Sequence, residues 1–185
     1  MPSLRFTVAK DDADIISIKE LQKKNLQRNL SPEETARQGF VTVEHSLDDL
    51  RKLNAIEKHI ICKDGDEVIA YLLAMTVESK EDIPVLIPMF RTFEDLQYKD
   101  KLISTYNYIV VGQVCVDKDY RGKGILDQCY NTYKNSYCTK YDFAVTEIAT
   151  RNIRSIRAHC RVGFTVIHTY VSPDGEEWAI VVWDW

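Results

Sequence analysis

The run DKDYRGKGIL, residues 117–126, sets Gly122 and Gly124 between Arg121 and Lys123, straight after an apolar stretch and straight before a helical pattern. A turn of this kind points several backbone N–H groups one way, and the helix behind it adds the positive end of its dipole. The chemistry it suits is anion binding, phosphate above all. Glycine lets the main chain approach a ligand with no Cβ in between. Two familiar phosphate motifs fail. A P-loop needs Gly-Lys followed by Ser or Thr, and Lys123 is followed by Gly124. The dinucleotide fingerprint needs a small residue at 127, where Asp127 would repel a pyrophosphate. On this stretch alone, an anion cradle and a plain strand-to-helix turn with solvated basic residues stay equally open.

Other residues could act on protons. Glu147 lies inside the apolar strand pattern FAVTEIAT, where a carboxylate is costly unless it faces a cleft or finds a partner. It is the first candidate for a general base, with Asp117 second; an outward, solvated or Arg-paired Glu147 is the competing reading. Further on, NIRSIRAHCRVGF carries Asn152, Ser155 and His159. Asn152 is placed to cap the helix that follows it. Arg154, Arg157 and Arg161 share one helical face, which reads as solvated. Phe164, Tyr170, Trp178, Trp183 and Trp185 read first as packing. With Glu176 and Glu177 they could instead receive a cationic amine.

The elements that must position these residues follow from periodicity and caps. LRFTVA alternates as a strand, and Asp11 or Asp12 starts a helix bearing Ile15, Ile18, Leu21 and Leu26. Ser31 with Glu34 reads as a capping box, and SLDD at 46–49 repeats that grammar. Asp64-Gly65 joins two apolar strands as a hairpin. Pro84 and Pro88 keep any helix between 83 and 96 short or kinked. YNYIVVGQVCV is a long strand, with Gly112 marking a bulge or a close backbone approach. Ile125, Cys129, Tyr133 and Tyr137 recur every four residues, the buried face of a helix. A strand, a helix ended by Gly163, and a last hairpin around Pro173-Asp174-Gly175 complete the order. This order gives an α/β class on a mixed sheet.

A chain of 185 residues suits one domain, 1–185, with no linker or repeat. A net charge of -4 argues against nucleic acid as a partner. No apolar signal core opens the chain and no run is long enough to span a membrane, so the expectation is a cytoplasmic protein. Five cysteines (Cys62, Cys115, Cys129, Cys138 and Cys160) without a CxxC pair read as free thiols, three of them within apolar strand or helix patterns, which points to buried thiols.

Together, the glycine turn and the 152–164 segment resemble the GNAT superfamily of acyl-CoA-dependent N-acetyltransferases. That signature is R-x-x-G-x-[GA] opening a helix after a strand, then N-x-x-[AS]-x-x-x-[YH]-x-x-x-G-F. Arg121 and Gly124 take the first positions; Asn152, Ser155, His159, Gly163 and Phe164 fit the second motif. Leu126 departs from the small residue that closes the first. The likeness spans nearly the whole chain and is strongest over 111–185. It implies a mixed sheet of about six to seven strands flanked by helices. It also implies acetyl-CoA as co-substrate with no metal, held by Val114, Cys115, Val116, Arg121, Gly122, Lys123, Gly124, Ile125, Leu126, Asn152, Ser155 and His159. The reaction implied is direct attack by a primary amine of a small molecule or peptide. Glu147 would be the base, and His159 either the acid for the leaving thiolate or a cofactor liner. The alternative is a non-catalytic acyl-CoA sensor, and a plain interaction domain is a third class. The edges of the last hairpin would suit a homodimer.

Overall fold

Four helices begin where the sequence places side-chain caps, at Asp11, Ser31, Ser46 and Asn152. The computed structural model describes residues 4–80 and 83–185. β1 (Arg5–Val8) runs to Asp11, whose carboxylate accepts the Asp14 amide and opens α1 (Asp12–Asn25). The capping boxes Ser31/Glu34 and Ser46/Asp49 start α2 (Pro32–Gln38) and α3 (Leu47–Ile56). β2 (Ile60–Asp64) and β3 (Glu67–Met75) turn at Gly65, whose φ of 60° is the left-handed value that favours glycine. The proline-bearing stretch becomes a single 3-10 turn and the short α4 (Ile87–Asp95).

A two-rung hairpin, β4 (Gln97–Tyr98) with β5 (Lys101–Leu102), has no counterpart in the sequence reading. Its turn residues Lys99 and Asp100 take φ 49° and 65° without a glycine to announce them. After it come β6 (Tyr108–Val116), α5 (Ile125–Tyr137), β7 (Phe143–Ala149), α6 (Ile153–Val162), β8 (Thr165–Val171) and β9 (Glu177–Trp183), in the expected order.

Seven strands form one sheet in the order β1-β2-β3-β6-β7-β9-β8. Every neighbouring pair is antiparallel except β6 and β7, which run parallel. One face buries Ile18 and Leu21 of α1, Leu50 and Leu53 of α3, and Phe90 and Phe93 of α4. The other buries Ile125, Cys129, Tyr133 and Tyr137, the four-residue ladder expected of α5. Each such side chain contributes about 1.5–3 kcal/mol through removal from water. The sheet is thus clamped on both sides, with α5 packed across β1, β2, β3 and β6. Among the described residues, no helix is long and apolar enough to cross a membrane.

Candidate functional site

The site begins where the sheet opens. β6 and β7 share only the rungs Tyr108–Phe143, Ile109–Ala144 and Val110–Val145. Beyond them β6 stays with β3 as far as Val116, while β7 stays with β9 as far as Ala149. Gly112 is the bulge: Leu73 pairs with Gln113 and Ala74 with Val111, leaving it unpaired. It is also a close approach, because a Cβ there would collide with the Met75 side chain. The bulge expected of that glycine is borne out, and its close neighbour is a side chain rather than a second backbone. Where the strands part, the Thr146 hydroxyl takes over the ladder by donating to the Val111 carbonyl at 2.7 Å.

The outer part of the resulting cleft has a volume of about 650 Å3 and reaches the start of α5. Gly122 and Gly124 take φ 77° and 74°, and a Cβ at either would meet no atom within 4 Å. These glycines serve the backbone angle on an open surface. Gly124 is the N-cap of α5 and offers no side-chain bond, so the first-turn N–H groups face the cleft without a capping partner. That is the geometry of an anion cradle. The inner part, of about 110 Å3, adjoins Glu147, Gln113, His45 and Trp178. Asn152, Ser155, His159 and Val114 line both parts and mark their junction.

No protein-family model matches the chain, and no curated protein matches its sequence. Solved structures do match over its whole length. The polyamine N-acetyltransferase of Drosophila melanogaster superposes with a TM-score of 0.66 at 10% identity, covering 99% of this chain and 100% of the other. Arabidopsis thaliana Naa50, in complex with a bisubstrate analogue, gives 0.63 at 14% identity and 99% of each chain. The ribosomal-protein-S18-alanine N-acetyltransferase of Escherichia coli gives 0.62 at 12% identity, covering 98% and 94%. This is the GNAT fold.

Within that fold the predicted residues fall into three groups. Val114, Cys115 and Val116 line the cleft from β6; Arg121, Gly122, Gly124, Ile125 and Leu126 line it from the turn and α5. Leu126 is half-buried and packs partly on the core below while still reaching the cleft. Arg121 is tied into the wall: its Nε donates to the Val116 carbonyl at 2.9 Å and its guanidinium to Asn25 Oδ1 at 2.6 Å. Lys123 is exposed, and its ammonium lies 5.1 Å above the Tyr120 ring. The Cys115 thiol is pushed up to about 12 by burial, which leaves it unreactive at neutral pH.

Asn152 caps α6 as expected, its Oδ1 accepting the Ser155 amide at 3.3 Å, and its Nδ2 donates to the Phe40 carbonyl at 3.2 Å. His159 is 3% exposed. Its Nδ1 lies 2.8 Å from the Ser155 carbonyl, which can only accept, so Nδ1 carries the proton. Nε2 is then bare and accepts the Tyr130 hydroxyl at 2.6 Å. Burial pushes the imidazole down to about 4, and it is neutral with both nitrogens engaged.

Glu147 is half-buried at the inner cavity. Burial pushes its carboxyl up to about 7, although the Tyr170 hydroxyl, donating to Oε2 at 2.6 Å, works the other way. Glu176 and Glu177 are otherwise occupied, the first in an ion pair with Arg151 at 2.7 Å, the second accepting the Thr150 hydroxyl at 2.7 Å. Among the arginines of α6, Arg161 pairs with Asp127 at 2.9 Å. Of the thiols, Cys138 is half-buried and Cys160 exposed.

Sequence reasoning missed the wall opposite. Gln113 receives the Tyr71 hydroxyl at 2.6 Å and the Gln22 amide at 2.9 Å on Oε1, and donates to the Val43 carbonyl at 2.8 Å. This buried network fixes the segment bearing His45 against β6. Gln113, an amide inside the apolar run YIVVGQVCV, was an available signal.

Proposed function

We propose that residues 1–185 form one N-acetyltransferase domain that moves an acetyl group from acetyl-CoA to a primary amine of a small molecule or peptide. The observation that carries this reading is the split between β6 and β7, with an uncapped helix start at its outer end and a carboxyl raised to about 7 at its inner end. Solved structures of this fold support the ligand class. Naa50 was captured with the bisubstrate analogue CoA-Ac-MVNAL, and the NatC complex with Gag peptide and CoA.

Acetyl-CoA would bring the acetyl group as a reactive thioester. The turn Arg121–Leu126 would hold its phosphates through main-chain N–H groups, with Lys123 adding charge at the rim. Val114, Cys115 and Val116 would form one wall of the arm's channel, and Asn152 and Ser155 the other. An amine is protonated near neutral pH and cannot attack. Glu147 would take that proton, and a carboxylate titrating at about 7 is matched to the task. His159 would line the channel and keep water out. With Nδ1 bonded inside its own helix and Nε2 facing Tyr130, it holds no proton for a leaving thiolate.

Calorimetry with acetyl-CoA and a thiol-release assay with an amine panel test the proposal together. Binding with amine-dependent release of thiol is expected. Binding without release would favour the sensor reading, and no binding would leave a plain interaction domain.

A further inference from the structure

The inner cavity also carries information on which amine it takes. Val43, Leu86, Met89 and Trp178 give it apolar walls. Among its described lining residues Glu147 is the only carboxylate. The polar groups around it are mostly engaged: Gln113 at both ends, Thr146 with Val111, His159 with Ser155 and Tyr130. His45 differs. Its ring is 1% exposed, and neither nitrogen has a partner among the described residues.

A second ammonium on the acceptor would need a second free carboxylate within reach. Glu176 and Glu177 are engaged, and Glu44 pairs with Lys19 and Arg28. The groove next door, which shares Phe40 and Thr42 with the inner cavity, has Arg28 and Arg151 in its walls and no carboxylate among its described lining residues. A polycation finds nothing there to bind.

We propose that the acceptor is a primary amine with a single positive charge and an uncharged apolar group beside it. Its ammonium sits at Glu147, its apolar group against Leu86, Met89 and Trp178, and a polar atom of the acceptor meets His45. This rests on the acetyltransferase reading of the same cleft. Arylalkyl monoamines and the N-termini of peptides that begin with a bulky apolar residue share this chemistry; di- and polyamines do not.

The test is thiol release from acetyl-CoA with tyramine, whose phenol hydroxyl is the polar atom for His45, a tetrapeptide beginning with Leu, and spermidine. One of the first two should exceed spermidine in kcat/KM by roughly tenfold or more, and the better one names the source. Spermidine equal to or above both would overturn the inference. Calorimetry of the same three compounds into protein saturated with CoA reads the pocket without turnover. Preferred binding of an apolar amine with no turnover would support the pocket and sink acetyl transfer; no preference would sink the pocket. His45→Phe should raise KM for the preferred acceptor severalfold with kcat nearly kept, and His45→Asn should recover part of that loss. An unchanged KM in a folded His45→Phe protein would remove His45 from the site.

Discussion

The two ends of the cleft are built from different material. The outer end is main chain: two glycines in left-handed conformation and the first N–H groups of α5, all within a few consecutive residues. The inner end is side chains brought together from α4, β6, β7, β9 and the segment before α3, with a carboxyl and an imidazole whose protonation is set by burial. A backbone cradle recognises any phosphate group and tolerates most neighbouring side chains, so one fold can keep it through wide divergence. A side-chain pocket depends on every residue in it. On the proposed acetyltransferase reading, the handle for the co-substrate is therefore generic, whereas the choice of acceptor belongs to this chain.

That contrast breaks most sharply at Glu147. Glu147→Gln should lower turnover by about a hundredfold or more while acetyl-CoA affinity stays within about twofold. Equal losses in both would mean that the two ends are one site energetically. The converse variant is Gly124→Val, which puts a β-branched residue at φ 74°. Acetyl-CoA affinity in calorimetry should fall by roughly ten- to a hundredfold, with about 1–2 kcal/mol of stability lost to backbone strain. Binding of an acceptor amine to the free protein should hardly change.

Stability against pH sharpens the same comparison. Glu147 titrates higher in the folded protein than its ordinary 4.5, so the folded state binds more protons between 4.5 and about 7. Stability is lost as pH rises through that window. Glu147→Gln should therefore be more stable than the parent at pH 8, by about 1–2 kcal/mol given its partial exposure, and no more stable at pH 4. The buried histidines work oppositely. His45 and His159 are pushed down to about 4 and His59 to about 3, all by burial, so the unfolded chain binds the extra protons. Denaturant midpoints should fall as pH drops from about 6.5 towards 4. The smallest effect on rate is expected at His159. His159→Phe should cost about 1–3 kcal/mol by stranding the buried Tyr130 hydroxyl. Turnover per folded molecule should change less than tenfold, where a proton donor's loss would cost a hundredfold or more.

Apart from the β4–β5 hairpin, the order of elements, the caps at Asp11, Ser31, Ser46 and Asn152, and the bulge at Gly112 were legible because each is a local signal. A capping side chain, a glycine or a four-residue repeat acts within one turn of chain. The glycine turn that lines the outer cleft was legible for the same reason. The inner cavity was not. His45, Leu86, Met89 and Trp178 are ordinary residues in sequence, and they become a site only once β6 parts from β7. Glu147 could be singled out because a carboxylate in an apolar strand is costly wherever it lies, but its raised titration and its Tyr170 partner depend on tertiary packing. Arg121 shows the limit of motif reading. The motif supplies the residue, whereas the structure ties its guanidinium to Asn25 and the Val116 carbonyl.

The central claim is that this cleft joins a phosphate cradle to a carboxylate base acting on an amine. The most direct measurement is the pH profile of kcat/KM for the amine in the thiol-release assay, parent against Glu147→Gln. The parent should rise with pH and bend near 7, the value set by the buried carboxyl, and the variant should lose that bend together with most of its rate. An identical profile in both proteins, or acetyl-CoA binding with no amine-dependent thiol release at any pH, would contradict the account.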